Sequence, residues 1–270
     1  MQRRELLTLA VALARPVLHA PERAVVARLA PQATPQDWQA LTQDWLNQRV
    51  GAWLHGHVAE LGLSLPPDAV TALHAQWLHT VQRNVACDQL RRHLAPVLTG
   101  RDAPLLVLKG GTVETAAYGN GLLRPSVDLD VLARPGAAVD AALRELGLRT
   151  AGPRRGHEQT WLWGDGAVAV DVHHALADPR RHPPLARPET ALQLFAEAGI
   201  TADGELRLSD ADQSAHLLVH LGPGLYGDWR HLADLGQWWR TVAPDPEAVT
   251  PRLRRWQALA VARTAVETLR

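Results

Sequence analysis

Val168, Val170 and Val172 take every second place in a short segment, and Asp171 and His173 stand on the other side of the alternation. Successive side chains of a strand point to opposite faces of a sheet. This spacing therefore predicts a strand with one apolar, packed face and one face carrying an acid and an imidazole. Val127-Asp128-Leu129-Asp130-Val131 divides in the same way: Asp128 and Asp130 project together, while Val127, Leu129 and Val131 turn toward a core. Two such segments call for a sheet. Much of the remaining chain has the helical period, as in Trp38, Leu41 and Trp45 behind the helix-start signal Thr34-Pro35-Gln36-Asp37. The expected class is α+β, with a small mixed sheet between helical flanks.

Along the chain, residues 1–100 read as an N-terminal helical region. MQRRELLTLAVALARPVLHA fits an amphipathic helix better than a cleaved leader, since Arg15 interrupts the apolar run. Asp68 is placed to cap a long helix reaching about Leu98, with Val70, Leu73, Trp77 and Val81 as its stripe and Gly100 as its stop. Residues 101–178 read as the α/β core. Leu105-Leu106-Val107-Leu108 is a buried-strand run, and Gly110-Gly111-Thr112 opens a helix to Tyr118. Val139, Ala142, Leu143 and Leu146 mark another helix. Segments 159–163 and 167–173 form a hairpin through Gly164-Asp165-Gly166. Pro179 to Pro188 is the candidate linker, and residues 179–270 are read as helical again. Ser209 with Asp212 starts a helix to Leu221, a second spans about 228–242, and a third begins at Thr250-Pro251. Trp161 and Trp163 share a strand face and are expected to pack on the C-terminal helices. Trp238-Trp239 is expected in a helix–helix interface.

A hydrophobic fraction of 46% supports a packed core, and equal basic and acidic counts of 28 give no overall pull toward nucleic acid or an anionic membrane. No apolar run approaches the ~20 residues of a membrane-spanning helix. The one cysteine, Cys87, excludes a disulfide framework and a thiolate zinc site, and it fits a cytoplasmic setting. Among the 28 basic residues, Lys109 is the only lysine. In a chain that otherwise uses arginine, position 109 reads as a place that needs a compact ammonium rather than a planar fork.

Asp128 and Asp130 on one strand face repel each other unless a cation or a proton intervenes, and a hard divalent ion such as Mg2+ suits carboxylate oxygens. If the 168–173 strand is their neighbour, Asp171 joins them, with His173 a further candidate on the same face. Upstream, a strand feeds a glycine turn and a helix N-terminus, whose free N–H groups suit phosphate oxygens. Lys109 and Arg124 would add positive charge there. Acids for a metal and donors for phosphates together read as a nucleoside triphosphate site. His216 and His220, four apart, share a helix face, but the glutamate of a zinc-protease motif is absent. They read as structural histidines, and His157 as merely the start of the hairpin.

The segments L-K-G-G-T (108–112), L-R-P-S-V-D-L-D (123–130) and V-D-V-H-H (170–174) resemble the uncharacterised nucleotidyltransferase family of bacteria, and the first two also resemble toxin-type nucleotidyltransferases of abortive-infection systems. Pro66-Pro67, Arg83-Asn84, the segment 216–220 and the segment 229–234 extend the likeness over most of the chain. Lys-Gly-Gly stands where the wider fold usually carries Gly-Ser. The resemblance implies transfer of a nucleotidyl group from a triphosphate, ATP among the candidates, to an acceptor, with release of pyrophosphate. It implies two Mg2+ or Mn2+ ions held by Asp128, Asp130 and Asp171, the last lying nearer the acceptor. Nucleotide contacts fall to Lys109, Gly110, Gly111, Thr112, Arg124 and Ser126. The implied acceptor is a peptide, a small molecule or tRNA, with no membrane partner. The alternatives are a non-catalytic nucleotide-binding or scaffold protein of the same fold and a toxin-type tRNA nucleotidyltransferase.

Overall fold

The computed structural model describes residues 1–98, 104–118, 124–126, 128–166, 168–180, 182–202, 204–221 and 229–268. The N-terminal helices are α1 (Arg3–Leu13), α2 (Ala20–Leu29), α3 (Pro35–Asn47), α4 (Gly51–Leu61), α5 (Pro67–His93) and α6 (Ala95–Leu98). The start of α3 follows its sequence signal. Asp37 N–H donates to Thr34 Oγ1 at 3.2 Å, and Thr34 N–H donates back to the Asp37 carboxylate at 2.9 Å. The long helix departs from expectation three times. It starts at Pro67, so Asp68 lies in its first turn and does not cap it. It stops at His93, because Pro96 has no N–H to continue the ladder. Its buried line runs through Ala69, Leu73, Thr80, Asn84, Cys87 and Leu90, leaving Val70 exposed. The later part of that line is polar for a reason: Asn84 Nδ2 donates to the Arg124 carbonyl at 2.7 Å, and Asn84 Oδ1 accepts from Ser126 N–H at 3.1 Å. A helix side chain thus clamps the approach to the first acidic strand.

The sheet comes next: β1 (Leu105–Val107), α7 (Lys109–Tyr118), β2 (Asp128–Ala133), α8 (Val139–Glu145), β3 (Arg149–Thr150), β4 (Glu158–Trp163) and β5 (Val168–His173). Gly164 and Gly166 take positive φ of 58° and 85° in the β4–β5 turn, a backbone that glycine adopts without strain. Val127, Ala167 and Gly100 lie outside the described residues. Beyond them stand α9 (Pro188–Ala196), β6 (Gly199–Ile200), β7 (Leu206–Arg207), α10 (Asp210–Leu221), α11 (Trp229–Thr241), α12 (Pro246–Arg255) and α13 (Leu259–Thr268). The segment after Pro188 is therefore not wholly helical. Among the described residues the sheet has seven strands in the order β3-β4-β5-β2-β1-β7-β6, so the chain beyond residue 179 supplies one edge of it. Arg91 on α5 forms an ion pair with Glu205 just before β7 and fastens that edge.

Each sheet face has its own core. Leu105, Val107, Leu129, Val131, Val168, Val170, Val172 and Trp161 pack against the end of α5, α6 and α8. Trp163 leans on the His93 ring at 5.3 Å. The two tryptophans therefore meet the N-terminal long helix and α8, not the C-terminal helices. They share the face of the buried valines, and that face is covered by α5 and α8. On the other face Leu106, Leu108 and Leu132 join Val113, Ala117 and the C-terminal helices. Trp238 behaves as expected: buried in α11, it donates its indole N–H to Ser214 Oγ of α10 at 2.8 Å.

Candidate active site

The acids belong to the second face. β2 runs parallel to β5 with Asp130 directly opposite Asp171, and Asp128 opposite Ala169. β4 runs antiparallel on the far side of β5, setting Thr160 opposite Asp171 and Glu158 opposite His173. Because residues paired across strands share a face, Asp128, Asp130, Asp171, His173, Thr160 and Glu158 form one polar field. The valine face lies directly behind it. Thr160 Oγ1 donates to Asp171 Oδ1 at 2.6 Å and orients that carboxylate.

On the other flank of β2, Leu108 N–H donates to the Asp130 carbonyl at 3.0 Å, which fixes the chain just as it enters α7. Lys109 is the first residue of α7, and its Nζ lies 3.3 Å from Asp130 Oδ1 and 3.3 Å from His220 Nε2. His173 Nε2 reaches the same Asp130 oxygen at 3.0 Å. Burial pushes the Asp130 carboxyl up, but Lys109 and the His173 hydrogen bond outweigh it and hold it below the usual carboxylate range. Asp128 goes the other way. Burial and then the neighbouring charge of Asp130 raise it to about 6.

These residues line a cleft of about 410 Å3, with Lys109, Asp128, Asp130, Asp171 and His173 on the sheet side and His216, His220 and His231 on the helix side. His157, Glu158, Asp178 and His182 complete its rim. The α10 histidines are thus walls of the cleft. Burial pushes His216 down to about 3 and His220 well below its ordinary value, in both cases helped by Lys109, so both are neutral donors or acceptors near pH 7. Their spacing of four was legible, but which way α10 turns that face depends on packing against α7 and α11.

Of the six expected nucleotide contacts, Lys109 is the one that lines the cleft among the described residues. Gly110 and Gly111 follow it in the first turn of α7, and Thr112 opens onto a separate hollow with Arg91 and Glu205. The structure does not bring Arg124 and Ser126 to the cleft. Arg124 Nε and Nη2 donate to the Asp234 carboxylate at 3.0 and 2.8 Å, and Nη1 donates to Ser126 Oγ at 3.1 Å. Tyr118 donates to the same carboxylate at 2.6 Å. All four side chains are buried, so this arginine is committed to holding α11 against α7 and the approach to β2.

An arrangement of two acids on one strand and a third on its parallel neighbour, beside a strand–glycine–helix turn, now stands in three dimensions. The pattern of the uncharacterised nucleotidyltransferase family matches residues 34–269. The chain belongs to that family. It is a nucleotidyltransferase, and the match takes in the helices on both sides of the sheet as well as the acidic strands. No curated protein matches this chain in sequence. Among solved structures, the solution structure of the antibiotic-resistance factor ANT(2'')-Ia is similar at 15% identity, with 72% of this chain and 96% of that one covered. Its TM-score of 0.38 is short of the likeness by which a shared fold is recognised. Among the described residues, no helix is long and apolar enough to cross a membrane.

Proposed function

We propose that the cleft binds a nucleoside triphosphate with Mg2+ or Mn2+ and transfers its nucleotidyl group to an acceptor, releasing pyrophosphate. One observation carries this reading: Asp128, Asp130 and Asp171 converge from two adjacent parallel strands onto one face of one cleft. With Glu158 and Asp178 the lining holds five carboxylates against one lysine, so a polyphosphate needs cations to enter. The donor set fits them, since clustered carboxylate oxygens suit a hard divalent ion and Asp128 is already raised to about 6 by burial and by Asp130. Asp128, Asp130 and Asp171 would hold the metal, which when bound neutralises phosphate charge and polarises the reacting phosphoryl group.

The chain's own groups do the rest. Lys109, held between Asp130 and His220, presents its amino group to the cleft from the start of α7, where a phosphate oxygen can meet it. Thr160 donates to one oxygen of Asp171 and leaves the other for the metal. The neutral His216 and His220 line the facing wall without adding charge. With so little positive charge among the described residues of the lining, a peptide or small-molecule acceptor suits the cleft better than tRNA. A cytoplasmic setting is in keeping with the single free, buried thiol of Cys87.

The test is incubation with each α-labelled triphosphate, Mg2+ and fractionated small-molecule and peptide acceptors. Label is expected to transfer from the α but not the γ position. Asp130→Asn should lower transfer by ~10²–10³-fold, the scale of losing one charge-stabilising group. Undiminished transfer in both Asp128→Asn and Asp130→Asn, or transfer of γ label, would remove the assignment.

A further inference from the structure

Beside the carboxylate cluster lies a second set of donors that nucleotidyl transfer does not use. A ring nitrogen of His157, a carboxylate oxygen of Glu158 and a ring nitrogen of His173 lie within 4.8 Å of one another. Each is fixed by backbone. Glu158 is the cross-strand partner of His173. His157 is pinned from both sides: its carbonyl accepts from His174 N–H at 2.7 Å, and Arg155 and Glu158 close a tight turn around it with paired backbone hydrogen bonds of 3.0 and 3.1 Å. The His157 and His173 rings are tilted at 44°, with centroids 5.5 Å apart, so they do not stack flat on one another.

His173 supplies the deciding detail. It is 8% exposed, its Nε2 is engaged by Asp130 at 3.0 Å, and its Nδ1 is buried with no hydrogen-bond partner among the described residues. With Nε2–H donating to the carboxylate, Nδ1 carries a buried lone pair. An imidazole with one nitrogen bonded to a carboxylate and the other bare is the arrangement that metal-bound histidines adopt. A buried acceptor left unmatched is costly, and a cation next to it removes that cost. The donors are two imidazoles and one carboxylate, softer than the all-oxygen set of Asp128, Asp130 and Asp171, and they suit a first-row transition ion rather than Mg2+.

We propose that His157, Glu158 and His173 form a transition-metal site of the Zn2+ class, separate from the carboxylate site and joined to it through the His173–Asp130 hydrogen bond. Ligands ~2.1 Å from a tetrahedral ion stand ~3.4 Å apart, so donor atoms already within 4.8 Å of one another need only side-chain adjustment to meet it. Three protein ligands leave a coordination position open toward the cleft, where Asp178 and His182 form the rim. The site is independent of whether the chain transfers nucleotides.

The full chain, stripped with chelator and returned to saturating Mg2+, is titrated with Co2+ as a visible-absorbing stand-in and then with Zn2+. One equivalent of Co2+ should give a ligand-field band that Zn2+ abolishes. His157→Ala and the nearly isosteric Glu158→Gln, checked by circular dichroism for an intact fold, should each weaken Co2+ binding at least tenfold, and Asp128→Asn should leave the band in place. Absence of the band in the wild-type chain overturns the site. So does undiminished affinity in both ligand variants, or loss of the band in Asp128→Asn with retention in His157→Ala, which would put the ion among the aspartates.

Discussion

Helix α7 touches one cluster of charge at its first residue and another at its last, and the two handle burial differently. At Tyr118, the Asp234 carboxylate receives the Arg124 fork and the tyrosine hydroxyl, and Ser126 takes a further guanidinium N–H. That cluster is electrically closed, and Asp234 keeps Arg124 charged even though burial opposes it. At Lys109, one ammonium serves Asp130, while Asp128 and Asp171 stand nearby with no ion pair among the described residues. Among the described residues the first cluster balances its charge, whereas the second is left with an excess of negative charge. A buried charge set that balances itself holds elements together, and one left with excess charge of one sign is built for a partner of the other sign.

The largest effect is expected from opening the closed cluster. Asp234→Asn leaves Arg124 buried and unpaired and should cost ~3–5 kcal/mol of stability. In a chain of this size that lowers Tm by roughly 5–10 °C, measured by differential scanning calorimetry. A change within a degree or two would mean that Arg124 finds another partner and that the cluster is not the brace described.

Glu114 of α7 tests the middle ground, a buried carboxylate with neither a closed set nor a cleft. Its Oε1 has no partner among the described residues, and burial raises its carboxyl from 4.5 to about 7. Between those two values the folded chain holds a proton that the unfolded chain has released, so stability falls as pH rises through that window and levels off above it. Glu114→Gln should flatten this slope and gain roughly 2–3 kcal/mol at pH 8. Denaturant melts from pH 4.5 to 8 decide it, and identical slopes in the two proteins would sink it.

The open cluster should respond in the opposite sense to Asp234. Asp128→Asn relieves repulsion and should raise stability without metal by roughly 1–2 kcal/mol, while reducing the gain in Tm on adding Mg2+. Asp171→Ala should also shrink that gain. A thermal shift series in chelator and in millimolar Mg2+ separates the two effects. A Mg2+ response of wild-type size in both variants would show that these acids do not hold the ion.

Much of the open cluster was legible in the sequence, because strand alternation is a local rule. The valines of β5 fixed where Asp171 must point, and the structure places it opposite Asp130. The closed cluster was not legible. Arg124 precedes the acids by a few positions and reads as a phosphate ligand, but its partner Asp234 is 110 residues away, a distance no periodicity spans. The same limit hid the histidine wall, which depends on how α10 and α11 dock. It also hid β6 and β7, two residues each, too short to show an alternation. The tryptophans were misplaced for a related reason: Trp161 had the correct face, but which helices cover that face is decided by tertiary packing.

Those two short strands matter out of proportion to their length. β7 pairs in parallel with β1, matching Leu106 to Leu206 and Val107 to Arg207. It turns what would be the border of the sheet into an interior position. Leu105, Leu106 and Val107 are wholly apolar and buried, with no charge or proline of the kind that guards a free border against pairing with another chain. A polypeptide ended near residue 178 would keep all three acids and lose that cover. It would carry the chemistry on a surface prone to self-association. The segment beyond the acids thus does more than flank the core: it closes a border that would otherwise be open to pairing with another chain.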